Sequence, residues 1–294
     1  MENSENDRER RERAYRAGAR ISKERMRQEA PLDAQALEQV EASDIVVVPG
    51  VYDHVELVLE ALEMPYTPVE PGQVGALRLR PEQLLVVNCP GDGIGPEGIR
   101  RIRTFVEGGG SLFSTDWALR HVLEPAFPGF VAFNERPTAD DVVRIEVRAN
   151  DNPFLRGVID PGEDPLWWLE GSSYPIRVLD PERVQVLIAS TELQAKYGES
   201  PVAVLFHHGE GEVFHMVSHY YLQRTELREA RQRVGAGAYA TSKGVALGAE
   251  MAAEMADLSA GEVESAGSSS RLFANVIADK KRRAMEEWRA QEGK

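Results

Sequence analysis

The sequence predicts an α/β protein whose mostly parallel sheet is doubly wound, which means that helices cover both of its faces. Short apolar runs such as 44–48 and 84–88 end in Pro/Gly turns, as buried strands do. Segments with apolar residues at helical spacing follow these runs, so strands and helices alternate along the chain. The runs are continuously apolar rather than alternating, which is typical of parallel strands that are buried on both faces.

The first half of the chain carries most of this alternation. Pro96 near the start of one segment and Gly108 just beyond its end bracket a helix, because Pro fits the first turn and Gly follows the last. The elements predicted in this half are strand 44–48, helix 55–62, strand 65–69, strand 84–88, the helix between Pro96 and Gly108, strand 111–114 and helix 117–123.

The second half predicts further strands that complete the same sheet. Residues 142–147 alternate between apolar and polar side chains, as a half-exposed strand does. Residues 209–211 (Gly-Glu-Gly) predict a tight turn, so the strands on either side should form a hairpin at the edge of the sheet. The other elements predicted here are strands 184–189, 202–206 and 212–218, and helices 225–234 and 246–258.

Helical extensions are expected on both sides of the α/β domain, which is assigned to residues 43–224. The N-terminal extension, residues 1–42, contains an Arg/Glu-rich helix at 7–29, and its thin apolar stripe favours a solvated helix or frayed tail over a partner-docking helix. In the C-terminal extension, residues 225–294, a Gly/Ser-rich linker at 259–270 precedes a charged helix. An apolar stripe on that helix should pack against the domain, a second copy or a partner protein: Leu272, Phe273, Val276 and Ile277.

Composition argues against several classes of function. There are 34 Lys and Arg against 48 Asp and Glu, a net charge of −14 that disfavours non-specific nucleic-acid binding. The single cysteine excludes an internal disulfide and a cysteine-cluster metal site. No apolar run approaches the roughly 20 residues that span a bilayer, and the charged N-terminus lacks the apolar core of a secretory signal. We therefore expect a cytoplasmic protein with no membrane or nucleic-acid partner.

Four motifs lie where predicted strands run into loops. Residues 50–54 (Gly-Val-Tyr-Asp-His) follow the first strand, and residues 88–91 (Asn-Cys-Pro-Gly) follow a later one. A Gly-Gly-Gly run at 108–110 precedes the strand that leads to Asp116. Residues 211–219 (Gly-Glu-Val-Phe-His-Met-Val-Ser-His) form a late strand that ends in a histidine. Because each motif sits at or near the carboxyl end of a strand, we expect them to converge at one edge of the sheet.

Over residues 44–223 these motifs resemble the class I glutamine amidotransferase-like superfamily. The resemblance is closest to the trehalose-utilisation (ThuA-like) branch, in which a Gly-x-Val-Phe strand ends in a histidine. It implies a flavodoxin-like fold with a pocket at the carboxyl ends of the strands. It also implies that residues 88–91 form the oxyanion loop, that Asp116 stands where the family has its nucleophilic cysteine, and that His219 stands at the position of the family's histidine.

The nucleophile position departs from the family pattern. An active elbow reads Gly-x-Cys-x-Gly, because small residues permit the strained turn that exposes the thiol. Residues 114–118 read Ser-Thr-Asp-Trp-Ala, with no thiol and a bulky Trp117 after the elbow. We therefore expect no glutamine hydrolysis by the family mechanism. Two interpretations of Asp116 stay open: a cap for the following helix, or a ligand, metal or acid–base role.

Cys89 and the acid partner of His219 also depart from the family. Cys89 follows a different strand from the elbow, and Asp92 nearby argues against the electropositive setting that a reactive thiol needs. We interpret Cys89 as a small packed residue. No clear match exists for the acidic residue that the family places shortly after its histidine, since Glu226 is the nearest carboxylate.

Histidines near the end of the predicted domain raise the alternative of a metal site. Zinc or iron would take neutral imidazoles together with a carboxylate, which Asp53 or Asp116 could supply. The favoured expectation is that no metal and no cofactor is bound and that these histidines are packed or exposed. The four are His207, His208, His215 and His219.

Two functions are compatible with these residues. The favoured one is a non-catalytic binding or assembly module with a small-ligand pocket, whose helical ends dock a protein partner or a second copy. The alternative is a hydrolase or sugar-modifying enzyme that uses Asp116 and His219 as catalytic residues, with or without a metal. The candidate ligand-binding residues are Tyr52, Asp53, His54, Asn88, Cys89, Gly91, Thr115 and Trp117.

Overall fold

Helices and strands alternate through the first half of the chain, and strands dominate its middle. The computed structural model describes residues 2–160, 165–219 and 230–292. The strands are β1 (Ile45–Val48), β2 (Thr67–Pro68), β3 (Leu84–Val87), β4 (Ser111–Thr115), β5 (Val131–Phe133), β6 (Asp141–Arg144), β7 (Glu146–Val147), β8 (Leu166–Leu169), β9 (Ile176–Val178), β10 (Val184–Ala189), β11 (Pro201–His208) and β12 (Gly211–Met216). The α-helices are α1 (Glu2–Glu29), α2 (Pro31–Leu37), α3 (Val55–Ala61), α4 (Gly95–Glu107), α5 (Glu124–Ala126), α6 (Thr191–Tyr197), α7 (Ala236–Ser242), α8 (Ala249–Glu254) and α9 (Ala260–Glu292).

Eight strands form one central sheet in the order β2-β1-β3-β4-β12-β11-β10-β7. The first five are parallel neighbours, and the last three add antiparallel pairs. This confirms the predicted α/β fold with a mostly parallel sheet. The register pairs Val48 with Val87, Val87 with Ser114, and Ser114 with His215. The carboxyl ends of β1, β3, β4 and β12 therefore meet at one edge of the sheet.

Two predictions about the strands are wrong. The hairpin of β11 and β12 does form around the Gly-Glu-Gly turn, but it lies inside the sheet because β10 and β7 pair beyond β11. The strand predicted at 142–147 is divided: β6 pairs with β8 in a separate two-stranded sheet, whereas β7 pairs with β10. The chain changes partner at Ile145, whose buried side chain joins the core and whose N–H donates to Pro165 O.

The last helix, α9, belongs to the main hydrophobic core. Phe273 is fully buried and packs edge-to-face on Phe113 of β4, with ring centroids 5.0 Å apart. The other members of the apolar stripe, Leu272, Val276 and Ile277, are buried in the same core. Of the three packing partners that the sequence leaves open for this stripe, the protein's own domain is therefore the one found.

The Gly/Ser-rich linker predicted at 259–270 is wrong, because α9 begins at Ala260 and runs through that segment. Its small residues allow a close approach to α1. A Cβ added at Gly18 would lie 2.6 Å from the backbone nitrogen of Gly267. Ser22 Oγ also donates to Gly267 O at 2.7 Å. The small residues that suggest a flexible linker therefore allow α1 and α9 to pack closely.

The solvated helix or frayed tail predicted at the N-terminus is also wrong. Ala17, Ala19, Ile21 and Met26 of α1 are buried, and polar contacts fix the helix beside α9. Arg10 Nε donates to Glu262 Oε1 at 2.7 Å. Of the helix predicted at 246–258, α8 covers the middle. In the one predicted at 225–234, residues 225–229 lie outside the described residues and Ala230–Arg233 form a short 3-10 helix. Over the described ranges, no helix is both long enough and apolar enough to cross a membrane.

Candidate functional site

A strained turn follows β4 at the carboxyl edge of the sheet. Asp116 has φ 44°, in the left-handed region that non-glycine residues adopt rarely and Asp more readily than most. Its N–H donates to Met216 O of β12 at 2.9 Å, so the turn is held by the neighbouring strand. A π-helical segment, Leu119–Leu123, begins three residues later. The chain thus makes a sharp strand–turn–helix elbow with the Asp116 side chain buried at its tip.

The Asp116 carboxylate is held by the loop after β8. Oδ1 accepts the backbone N–H of Tyr174 at 2.7 Å, and Oδ2 accepts the Ser173 hydroxyl at 3.0 Å. Ala118 occupies the N-cap position of the following helical segment, which has no side-chain cap. Asp116 is therefore not the helix cap that one interpretation of the sequence proposes. Burial raises the pKa of Asp116 to about 6, against the opposing effects of His219 and these two hydrogen bonds.

The imidazole of His219 lies between two carboxylates. Its Nε2 is 3.4 Å from Asp116 Oδ2, and its Nδ1 pairs with Glu170 Oε2. Glu170 is itself fixed, since its N–H donates to Ser218 Oγ at 3.0 Å. Burial lowers the pKa of His219, but Cys89 and the neighbouring carboxylates outweigh burial and raise it to about 11. Glu170 is thus the carboxylate that pairs with His219 Nδ1, while Glu226, the carboxylate that the sequence places nearest to His219, lies outside the described residues.

The thiol of Cys89 completes the cluster. Its sulfur, a carboxylate oxygen of Asp116 and a ring nitrogen of His219 all lie within 4.8 Å of one another. Cys89 is 1% exposed, and burial raises the pKa of its thiol, an effect that His219 partly opposes. A Cβ at Gly50 would lie 2.1 Å from Cys89 O, so glycine is required where the β1 loop crosses β3.

A third carboxylate lies behind this cluster. Asp53 is fully buried, and its Oδ2 accepts the Thr115 hydroxyl at 2.7 Å. The same hydroxyl accepts the Cys89 N–H at 3.2 Å. Asp53 Oδ1 accepts the N–H of His54, which precedes α3. The ends of β1, β3 and β4 are thus joined by one hydrogen-bonded chain of side chains and backbone.

Aromatic rings border the elbow. Tyr52, 47% exposed, meets Trp117 edge-to-face at 5.3 Å, and Trp117 stacks on Tyr174 at 5.4 Å. Trp117 Nε1 donates to Ser172 O at 2.7 Å, which fixes the indole over the loop after β8. A separate cavity of about 80 Å³ lies beside His219 and is lined in part by Trp167.

Two candidate ligand-binding residues on the Cys89 loop have structural partners of their own. The amide Nδ2 of Asn88 donates to Glu56 Oε2 at 2.7 Å, towards α3. Gly91 has φ 72°, and a Cβ there would lie 2.9 Å from Val122. This loop therefore contributes Cys89 to the cluster, while Asn88 and Gly91 fix its path.

The four histidines near the end of the domain do not converge. His215 is fully buried with Nδ1 2.9 Å from Ser114 Oγ, and burial lowers its pKa to about 3. His208 packs against Phe127, with ring centroids 5.3 Å apart, and His207 is exposed. Among the described residues, only His219 joins a group of potential metal ligands.

Glu170 and Ser173 are site residues that sequence reasoning missed. The signal was available, because the apolar run at 166–169 ends in Glu-Gly-Ser-Ser, the strand-end pattern that identified the other motifs.

Comparison with known proteins gives distant structural similarities. No family model and no curated protein matches the sequence. A putative ThuA-like protein from Bacteroides uniformis shares 10% identity at a TM-score of 0.42, over 60% of this chain and 82% of that one. A cytoplasmic protein from Salmonella typhimurium shares 11% sequence identity at a TM-score of 0.43, and the match covers 61% of this chain and 89% of that protein. An exo-β-1,4-mannosidase from an Opitutaceae bacterium shares 14% sequence identity at a TM-score of 0.39. That match covers 58% of this chain and only 30% of the mannosidase.

Proposed function

We propose that this chain is a class I amidotransferase-like module that binds a small ligand at the carboxyl edge of its sheet and does not hydrolyse glutamine. The observation that carries this proposal is the residue at the elbow. Asp116 has the strained backbone that the family uses to present a thiol, with φ 44°, but offers a carboxylate instead.

The sheet supports the family assignment. Its five parallel strands follow the order β2-β1-β3-β4-β12, which corresponds to the flavodoxin-like order 2-1-3-4-5. Ligands of such open sheets bind outside the carboxyl ends of the strands. The elbow, the Cys89 loop and His219 all lie at that edge.

The cysteine of the neighbouring strand does not replace the missing nucleophile. Cys89 lies two residues beyond β3, the strand that leads into the oxyanion loop in the proposed family, and its side chain is almost fully buried. A nucleophile must lie within reach of the substrate carbonyl, which the elbow would present on the adjacent strand. We therefore assign Cys89 no role as a nucleophile, and its thiol contributes a buried polar group to the site.

The surroundings favour a binding site for a small polar ligand. Buried polar groups beneath an aromatic border are typical of such sites, in which a few polar groups fix orientation and apolar rings supply contact area. Here the border is Tyr52, Trp117 and Tyr174, and the polar groups belong to Cys89, Asp116 and His219.

A hydrolase is the second candidate, because His219 and Glu170 form the imidazole–carboxylate pair of many general acid–base catalysts. Asp116 would then attack an electrophilic carbon while the protonated His219 gives its proton to the leaving group, and the neutral imidazole would next take a proton from the water that hydrolyses the resulting ester. Release of nitrophenol from aryl esters or glycosides, abolished by Asp116→Asn, would favour this candidate.

Covalent labelling tests the principal proposal. A glutamine-mimicking diazoketone alkylates the activated cysteine of glutaminases, and intact mass would record the adduct. We expect no adduct on the native protein. Stoichiometric labelling of Cys89 at neutral pH would overturn the proposal, because it would show a thiol that is both activated and placed to receive glutamine.

A further inference from the structure

Three side chains that could bind a metal ion meet at the edge of the sheet. Cys89 follows β3, Asp116 follows β4, and His219 follows β12, and one potential ligand atom of each lies within 4.8 Å of the other two. All three side chains are buried. We propose that they bind a divalent transition-metal ion, with zinc as the best fit. This inference rests on the proposed function, since it identifies the ligand that the site holds.

The distances suit tetrahedral coordination. Zinc lies about 2.1 Å from histidine nitrogen and carboxylate oxygen, so two such ligands at a tetrahedral angle are about 3.4 Å apart. His219 Nε2 and Asp116 Oδ2 are 3.4 Å apart. A thiolate sulfur about 2.3 Å from the ion would lie about 3.6 Å from each of the other two ligand atoms, and the Cys89 sulfur lies within 4.8 Å of both.

The histidine supplies an independent observation. The side chain of His219 is 5% exposed, and among the described residues its Nε2 has no hydrogen-bond partner of ordinary geometry. A buried nitrogen without a well-formed hydrogen bond is costly, and an ion bound between His219, Asp116 and Cys89 would give this nitrogen a partner. Nδ1 pairs with Glu170, which is the carboxylate–histidine–metal arrangement that fixes the tautomer and directs Nε2 at the ion.

The other ligands are also held in position. Asp116 is oriented by Ser173 and Tyr174, and the Cys89 backbone is tied to Thr115. These contacts would hold the ligand side chains in position before the ion binds. The entropic cost of ordering those side chains on binding is therefore lower.

The chemistry of the donors selects the ion. Thiolate with imidazole and carboxylate suits zinc and disfavours Mg²⁺ and Ca²⁺, which take oxygen ligands. Three protein ligands leave a fourth tetrahedral position for water or a small ligand, as in catalytic rather than structural zinc sites.

Metal binding can be tested without any variant, because Cys89 is the only cysteine of the chain. The full-length protein is stripped with a chelator and titrated with Co²⁺. We expect one equivalent to bind, with d–d bands of a tetrahedral ion and a thiolate-to-cobalt charge-transfer band that only Cys89 can produce. Zinc in competition with a chromophoric chelator then gives the affinity.

Variants assign the remaining ligands and the positioning residue. Cys89→Ser should remove the charge-transfer band, and Asp116→Asn and His219→Gln should each weaken zinc binding. Glu170→Gln, which changes no ligand, should weaken it about 10–100-fold. The exposed Asp92→Asn and His121→Gln are matched controls that should bind as wild type. Circular dichroism of each stripped variant confirms that it folds.

Failure would be unambiguous. Absence of both bound zinc and a cobalt–thiolate band in the folded wild-type protein would overturn the metal site, as would wild-type affinity in His219→Gln and Asp116→Asn. In that case the cluster is an ion pair of His219 with its two carboxylates. Neither result bears on glutamine, so diazoketone labelling judges the proposed function separately.

Discussion

The Tyr174 N–H donates to Asp116 Oδ1 at 2.7 Å and so ties the loop after β8 to the elbow after β4. The two residues are 58 positions apart in the sequence. The same loop begins at Glu170, which pairs with His219. One loop therefore positions both side chains that the family resemblance identified, and the carboxylate at the elbow organises its surroundings.

Removal of this carboxylate should destabilise the protein. Asp116→Ala leaves the Tyr174 N–H and the Ser173 hydroxyl without an acceptor and puts Ala at φ 44°, so we expect a loss of about 3 kcal/mol. Asp116→Asn keeps an acceptor and tolerates the left-handed backbone, and should cost less than half as much. Urea denaturation followed by tryptophan fluorescence measures both. Equal costs would show that the hydrogen bonds do not hold the loop.

The crossing of the β1 loop over β3 predicts a strict requirement for glycine. In Gly50→Ala the new Cβ would meet Cys89 O, a backbone atom that cannot rotate away, so a loss of about 1–3 kcal/mol is expected. Gly72→Ala is the matched control, because nothing lies within 4 Å of its added Cβ. Thermal melting measures the stability of both variants. A Gly50→Ala protein as stable as wild type would contradict the described crossing.

The last helix should contribute to the stability of the whole protein. Phe273→Ala removes a fully buried ring that packs on Phe113, so we expect a loss of about 3–5 kcal/mol in a single cooperative transition. Trp288→Ala, which changes a 59% exposed ring further along the same helix, should stay within about 0.5 kcal/mol of wild type. A Phe273→Ala protein as stable as wild type would mean that α9 is not part of the core.

The contact between α1 and α9 should weaken in acid. Burial raises the pKa of Glu262, but hydrogen bonds from Arg10 and Ser259 outweigh burial and lower it from 4.5 to about 2. A folded-state pKa below the unfolded value gives stability that is complete above about pH 4.5 and lost as the pH falls towards 2. Because Arg10 is partly exposed and solvent screens the pair, we expect this stability contribution to be about 2 kcal/mol.

The pH dependence of unfolding free energy between pH 2 and 6 measures this contribution. Glu262→Gln should flatten the wild-type curve over that range, whereas the exposed Glu286→Gln should leave it unchanged. A Glu262→Gln curve that parallels wild type would show that the ion pair with Arg10 does not form in solution.

Local sequence pattern predicted the sheet better than the helical ends. The strands at 44–48 and 84–88 were placed to within a residue, because a strand buried on both faces must be continuously apolar. The segment 259–270 was misread because Gly and Ser suit both a flexible linker and a close helix contact. Only the position of Gly18 on α1 distinguishes the two, and that contact spans most of the chain.

The candidate site was partly predictable for a related reason. Asp116 and His219 follow strands that the apolar pattern reveals, and parallel strands bring their carboxyl ends together. Glu170 follows β8, which pairs with β6 outside the central sheet, and its partner His219 is 49 positions away. No periodicity within β8 encodes that contact.

The central claim is that Asp116 has replaced the nucleophile of the family. The most direct test of this claim is the rate of ammonia release from L-glutamine. The assay compares the wild-type protein with Cys89→Ala, at neutral pH and with folding of both checked by circular dichroism. We expect no release above the buffer rate from either protein, because the elbow carries no thiol. Measurable turnover by the wild type that disappears in Cys89→Ala would contradict the account, since it would make Cys89 the nucleophile of an active glutaminase.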